Sequence, residues 1–295
     1  MQFRELTDRY QLEKILKSNR FGTVLRAADS KSGRTVVLKQ ITVPSPPRLV
    51  AGAPELEKLA ATLAGLGHPA FPAVLDAGFT TDGAAFLSLE LLEGKGLDAL
   101  TGAAGAPPDR VLARIGQALD GLEALAAKGF AHLNVSPDNL FVVQTPAGEQ
   151  VKILGLGTAV FRPRGAEAVG APASDNARFH APEVTAGAPA DPRADLYSLA
   201  LVTCTALGAT VGFGDSPVVQ LPLAVSFELE NDEALRQALE RSLRKNPAER
   251  PSFQDFREAL RLALGAPVGG AAAVAAPPPA APSPAAAARR SATGG

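Results

Sequence analysis

The chain has 295 residues, 46% hydrophobic and 20% charged, enough apolar content for a core in one large domain or two closely packed lobes. Its 29 Lys and Arg against 30 Asp and Glu leave a formal charge of -1, so no net basic field points to nucleic acid or to an anionic membrane surface. The single cysteine, Cys204 in LALVTCTAL, excludes a disulfide framework within the chain and reads as a buried small hydrophobe.

At the N-terminus, MQFRELTDRYQLEKIL lacks the apolar core of a signal peptide. No later run approaches the roughly 18 apolar residues of a membrane span, so the expected location is the cytoplasm. YQLEKILK, GTVLRAAD and RTVVLKQI are short, rich in aliphatic and β-branched residues, and separated by the turn-prone SNRFG and SKSG. This is the pattern of consecutive antiparallel strands. PELEKLAATLAGLG then places Leu56, Leu59, Leu63 and Leu66 at helical spacing, and FPAVLDAGF and AAFLSLEL return to strand character. The remainder is mostly helical. Val111, Ile115, Leu119, Leu122 and Leu125 mark one buried face, with Gly129 as a stop. DLYSLALVTCTALG is apolar nearly all round, as in a central buried helix, and Leu235, Leu239 and Leu243 line the next one. Ser252 with Asp255 forms a capping box for a last helix carrying Phe253, Phe256 and Leu260. From about Ala266 the chain turns to Ala, Pro and Gly, and residues 265–295 are expected to be a disordered tail.

Short motifs fall in a fixed order along this frame: VVLK ending at Lys39, GHPAF at 67–71, HLNVSPDN at 132–139, VKILGLG at 151–157, HAPE ending at Glu183, DLYSLA from Asp195 and KNPAERP ending at Pro251. Together they make residues 9–264 resemble a protein kinase of the bacterial Ser/Thr type. The resemblance implies an α+β bilobal fold: a small antiparallel-sheet N-lobe with one helix (9–93) and a larger helical C-lobe (94–264). It also implies structural roles for four residues. Glu183 and Arg250 form a buried charge pair, and Asp195 accepts hydrogen bonds from the loop around His132.

Several catalytic positions depart from the family's pattern. The family's His-Arg-Asp supplies the acceptor of the substrate's hydroxyl proton, but the matching positions here are His132, Leu133 and Asn134. An amide cannot take that proton. Ser136 stands where the family has a phosphate-contacting lysine, and Gly155 where Asp-Phe-Gly supplies the Mg²⁺ carboxylate. Asn139 alone remains of the usual metal ligands, and Asp138 beside it reads as a solvated loop acid. Of the glycine-rich loop, residues 17–24 keep only Gly22, although Lys17 and Arg20 could attract an anion. Leu59 occupies the place of the glutamate that pairs with Lys39, while Glu55 lies one turn earlier on that face and Glu57 off it. Asp175 and Asn176 replace the Gly-Thr that precedes the Ala-Pro-Glu region.

These departures lead to the expectation of a pseudokinase. Such a chain is no enzyme, has no catalytic or metal residues, requires no cofactor and acts by binding a protein partner, either an active kinase or its substrate. A second reading is a nucleotide sensor that takes ATP without Mg²⁺. Its cleft would be formed by Lys39, Val24, Val37, Asn139 and Phe141, with Glu90 to Leu92 as the backbone edge. The third is an unconventional, low-activity Ser/Thr kinase in which Asn134 orients a hydroxyl without deprotonating it. The segment GFGDSPVVQLPLAVSFELEN is short for a docking helix, so its surface is expected to be remodelled.

Overall fold

The computed structural model describes residues 9–19, 22–41, 61–62, 64–79, 85–100, 106–155 and 176–265. Strands β1 (Tyr10–Asn19), β2 (Gly22–Asp29), β3 (Arg34–Ile41), β4 (Val74–Phe79) and β5 (Ala85–Glu90) form one antiparallel sheet in the order β1-β2-β3-β5-β4. Alternation sorts its two faces. Leu25, Ala27, Val36 and Leu38 join Tyr10 and Phe86 in a compact core, whereas Val24, Val37 and Lys39 lie on the opposite face. Pairing of Val24 with Lys39 and of Lys39 with Leu87 places the Lys39 backbone at the centre of the sheet. The expected helix over 54–67, with Leu56, Leu59, Leu63, Glu55 and Glu57, lies outside the described residues but for its last few positions.

The larger lobe is built around two helices. In α2 (Pro108–Ala127), which follows the short strand β6 (Gly94–Gly96) and one-turn α1 (Leu97–Leu100), the periodic Val111, Ile115, Leu119, Leu122 and Leu125 are all buried. In α4 (Arg193–Leu207), preceded by one-turn α3 (Pro182–Thr185), every residue except Arg193 and Thr205 is buried. Such a helix has no solvent face because other elements surround it. Cys204 is among its buried residues, and burial pushes its thiol up to about 12, which removes it as a nucleophile at neutral pH. Hairpin β7 (Leu140–Thr145) and β8 (Gly148–Ile153) pairs with β6 and presents the two loops that face the smaller lobe.

The short segment after α4 folds as a ribbon of β9 (Thr210–Gly212) and β10 (Val218–Gln220), followed by α5 (Leu223–Glu228), a six-residue helix with no buried residue. Leu223 is 75% and Phe227 86% exposed. Helices α6 (Asp232–Ser242) and α7 (Phe253–Ala263) close the lobe, and α7 begins with reciprocal hydrogen bonds between Ser252 and Asp255. Among the described residues, no helix is long and apolar enough to cross a membrane.

Candidate active site

The loop between α2 and β7 is held by a buried carboxylate. Asp195, at the start of α4, accepts hydrogen bonds from the backbone amides of His132 and Leu133, each at 2.7 Å. Burial pushes its carboxyl up to about 7, against the two amides that favour the anion. The grip is needed because Leu133 has φ +59°, a left-handed conformation that costs a side-chain-bearing residue about 1–2 kcal/mol. His132 is fully buried and uses both ring nitrogens. Nδ1 accepts from the Asn134 amide at 3.2 Å, so the proton lies on Nε2, which donates to the Leu154 carbonyl at 2.9 Å. Burial, with the nearby charge of Lys39, pushes its pKa down to about 4, so it is a neutral brace at pH 7.

This frame places the Asn134 side chain at the edge of the loop, with its Oδ1 3.5 Å from Nε2 of His180. Asn139 is buried and donates from its amide nitrogen to the Asn134 carbonyl at 2.8 Å. Asp138 is not a solvated acid. One of its oxygens lies 2.8 Å from the Lys17 ammonium, and the other accepts from the Ser136 hydroxyl at 2.6 Å. The Pro137 turn aims it at the β1–β2 hairpin. Burial alone would raise its pKa, but the bonds from Lys17 and Ser136 outweigh that and lower it.

Gly155 has φ +93°, and a Cβ built on it would meet the Asn139 side chain at 2.9 to 3.2 Å. Asn139 thus fills the space into which a residue 155 side chain would reach. Gly155→Ala is expected to cost about 1–3 kcal/mol through this strain. Urea unfolding should also show a smaller loss in an Asn139→Ala background, which empties the contact. An unchanged midpoint in the single variant would refute the close packing.

A carboxylate-held Mg²⁺ does not fit these residues. Gly155 carries no donor, Asn139 offers only a neutral amide oxygen while its nitrogen donates to the Asn134 carbonyl, and Asp138 faces Lys17 and the Ser136 hydroxyl. Among the described residues, no three His, Cys, Asp or Glu side chains group as a metal site requires.

On the opposite side, Lys39 is half-buried on β3, and burial followed by the charge of Lys17 pushes its pKa down to about 8. Among the described residues no carboxylate forms a salt bridge with it, and Glu55, Glu57 and Leu59 lie outside them. Val24 and Val37 above, and Leu92 and Phe141 below, are each half-buried. Phe141 is drawn to the β6 side, where a Cβ on Gly94 would meet its ring at 2.9 Å. Glu90 acts as a staple between the lobes: its amide donates to the Ala73 carbonyl at 3.0 Å and its carboxylate pairs with Lys152 at 3.0 Å. Residues 91 and 92 are then left as the backbone edge. Farther off, Arg250 makes a two-pronged pair with Glu183 at 2.6 and 2.8 Å. Arg20, Asp175, Leu156 and Gly157 lie outside the described residues, whereas Asn176 reaches Asp138 with its side chain.

The structure agrees in fold with the kinase domain of PknI from Mycobacterium tuberculosis, with a TM-score of 0.62 and 22% identity over 86% of this chain and 95% of that one. In sequence, the serine/threonine-protein kinase pkn2 of Myxococcus xanthus is 29% identical over 88% of this chain and 33% of its own length. The serine/threonine-protein kinase PknA of M. tuberculosis is 30% identical over 83% of this chain and 58% of its own length. The chain therefore spans between a third and three fifths of these two relatives. Their names correct the expectation of a chain that is no enzyme, because the matched relatives are kinases and the matched domain is a catalytic one. The physical reason is that phosphoryl transfer depends mainly on positioning and charge, so the loss of a base lowers the rate without removing the reaction. With the protein kinase domain family model matching residues 10–260, the chain belongs to the protein kinase domain family.

Proposed function

We propose that the chain is an ATP-dependent Ser/Thr protein kinase of unconventional apparatus and low rate, in which lysines rather than a carboxylate-held Mg²⁺ hold the nucleotide. The observation that supports this reading is the rigid loop frame. Asp195, His132 and Asn139 hold Asn134 in place even though its side chain is no base. Bound ATP supplies the phosphoryl group to be transferred. Asn134 offers an amide that can hydrogen-bond an incoming alcohol and orient it, and orientation alone is worth a large part of such a barrier. As the alcohol oxygen bonds the γ-phosphorus, the bond from that phosphorus to the β–γ bridging oxygen breaks and ADP leaves, and the hydroxyl proton passes late to the transferred phosphoryl oxygens or to solvent. Lys39, partly desolvated, places a positive charge where the phosphates would lie.

A protein acceptor suits the exposed apolar side chains Phe213, Leu223 and Phe227 on the C-lobe, which give a partner surface something to cover. The test is incorporation from γ-labelled ATP into Ser/Thr protein substrates, with and without Mg²⁺. Slow, acid-stable labelling that disappears in Lys39→Met is the expected result. Labelling no greater than that of the heat-inactivated chain would sink the reading.

A further inference from the structure

Lys17 lies near the tip of the β1–β2 hairpin, paired in register with Val24. Its ammonium crosses to the other lobe and meets Asp138, 121 positions away in sequence, at 2.8 Å. Ser136, whose hydroxyl bonds the same carboxylate at 2.6 Å, stands where the related kinases place a phosphate-contacting lysine. A positive charge missing from the loop is thus brought to it from the hairpin.

Three features indicate that this contact can exchange. Both partners are reachable by solvent, with side chains 51% and 31% exposed, and an ion pair this open is worth about 0–1 kcal/mol. Lys39 lies close enough to Lys17 for the two charges to repel, which favours an anion able to reach both. Asp138 does not depend on Lys17 alone, since Ser136 and Asn176 also bond it, so it stays satisfied when Lys17 leaves.

We propose that Lys17 is a phosphate-binding residue for a nucleoside polyphosphate and that Asp138 is the partner holding it when no nucleotide is present. A polyphosphate carries more charge than one carboxylate and can engage Lys17 and Lys39 together, relieving their repulsion. Lys17 exchanges one anion for the other. The inference rests on the nucleotide-binding part of the function proposed above and deepens it.

The experiment is calorimetric titration of the full chain, as wild type, Lys17→Met and Asp138→Asn, with ATP and separately with adenosine. Asp138→Asn keeps the shape of the turn and the bond from Ser136, so it tests the exchange without removing the loop's support. ATP should bind Asp138→Asn about twofold to fivefold more tightly, as release from an exposed ion pair allows. It should bind Lys17→Met about tenfold more weakly, as loss of a charge-assisted hydrogen bond implies. Adenosine, lacking phosphate, should bind all three alike. Unchanged or weaker ATP binding by Asp138→Asn would overturn the assignment, as would parallel changes for adenosine or no ATP binding by any of the three. The expected pattern without phosphoryl transfer would defeat the kinase reading and leave this assignment standing. Transfer by a chain whose ATP affinity ignores both residues would do the reverse.

Discussion

Substituting Asp for Asn134 is expected to raise the rate of phosphoryl transfer to a Ser/Thr protein substrate by about 10²–10⁴, the range of a positioned general base. The exchange is nearly isosteric. It alters only the side-chain amide, leaving the Asn134 amide bonded to His132 and its carbonyl bonded to Asn139. His180, 3.5 Å from the present Oδ1, can donate to a carboxylate as readily as to an amide. The new carboxylate would act on the alcohol and not on the nucleotide, so the gain should appear in kcat with the KM for ATP little changed. Asn134→Ala should lower kcat below that of the wild type, because the orienting hydrogen bond is lost without a base replacing it. If Asn134→Asp labels substrate no faster than the wild type, the slow step lies elsewhere and the assigned place of the acceptor hydroxyl is wrong.

Restoring the other missing carboxylate should not help. Gly155→Asp meets Asn139 and an unfavourable φ before it can meet a metal, and the two changes together should be limited by that strain. The chain has adapted around glycine. The packing of Asn139 against residue 155 makes the two positions one unit, which is why a position-by-position comparison with a family pattern overstates what a single reversion would restore.

The frame of the molecule was readable because its signals are local. GTVLRAAD is short, rich in aliphatic and β-branched residues and flanked by turn-prone stretches, and in the strand it forms Leu25 and Ala27 are buried while Arg26 between them is exposed. The three-and-four spacing from Val111 to Leu125 is likewise the buried face of α2. The motif order added the arrangement of the lobes. The contacts that decide what the site can do are not local. Lys17 and Asp138 sit in different lobes, and Asp138 looked like an ordinary loop acid because nothing near it in sequence shows which side chain crosses the cleft. Leu133 shows no sign in sequence of its left-handed backbone, which exists because Asp195, 62 positions later, pays for it. The expectation of an inactive chain rested on absent groups, the base at Asn134 and the metal carboxylate at Gly155 foremost; Lys17 was legible as a residue that could attract an anion, but its reach across the lobes to Asp138 was not.

Arg250→Met is expected to destabilise the fold by about 3–5 kcal/mol, the cost of stranding one member of a buried ion pair. The Arg250 side chain is 0% and that of Glu183 10% exposed. The guanidinium does more than neutralise a carboxylate. It donates to the carbonyls of Arg244, Arg193 and Lys245 at 3.0, 3.2 and 3.2 Å, and it stacks over the Tyr197 ring with its centre 5.0 Å from the ring centroid. A thioether of similar length fills the volume but leaves these acceptors and the Glu183 carboxylate without a donor. Arg250→Lys should rescue little, because one ammonium cannot reproduce the planar fork that spans both carboxylate oxygens while also serving three carbonyls. Against a total of about 5–15 kcal/mol for a typical domain, the loss is large enough to show as a lower urea midpoint at unchanged slope. Pairing Arg250→Met with Glu183→Leu should recover part of it, because the abandoned charge is removed along with its partner. A single variant within about 1 kcal/mol of the wild type would mean that water reaches Glu183; the segment leading into α3 would then be held to the last helices by packing, with the charge pair contributing little.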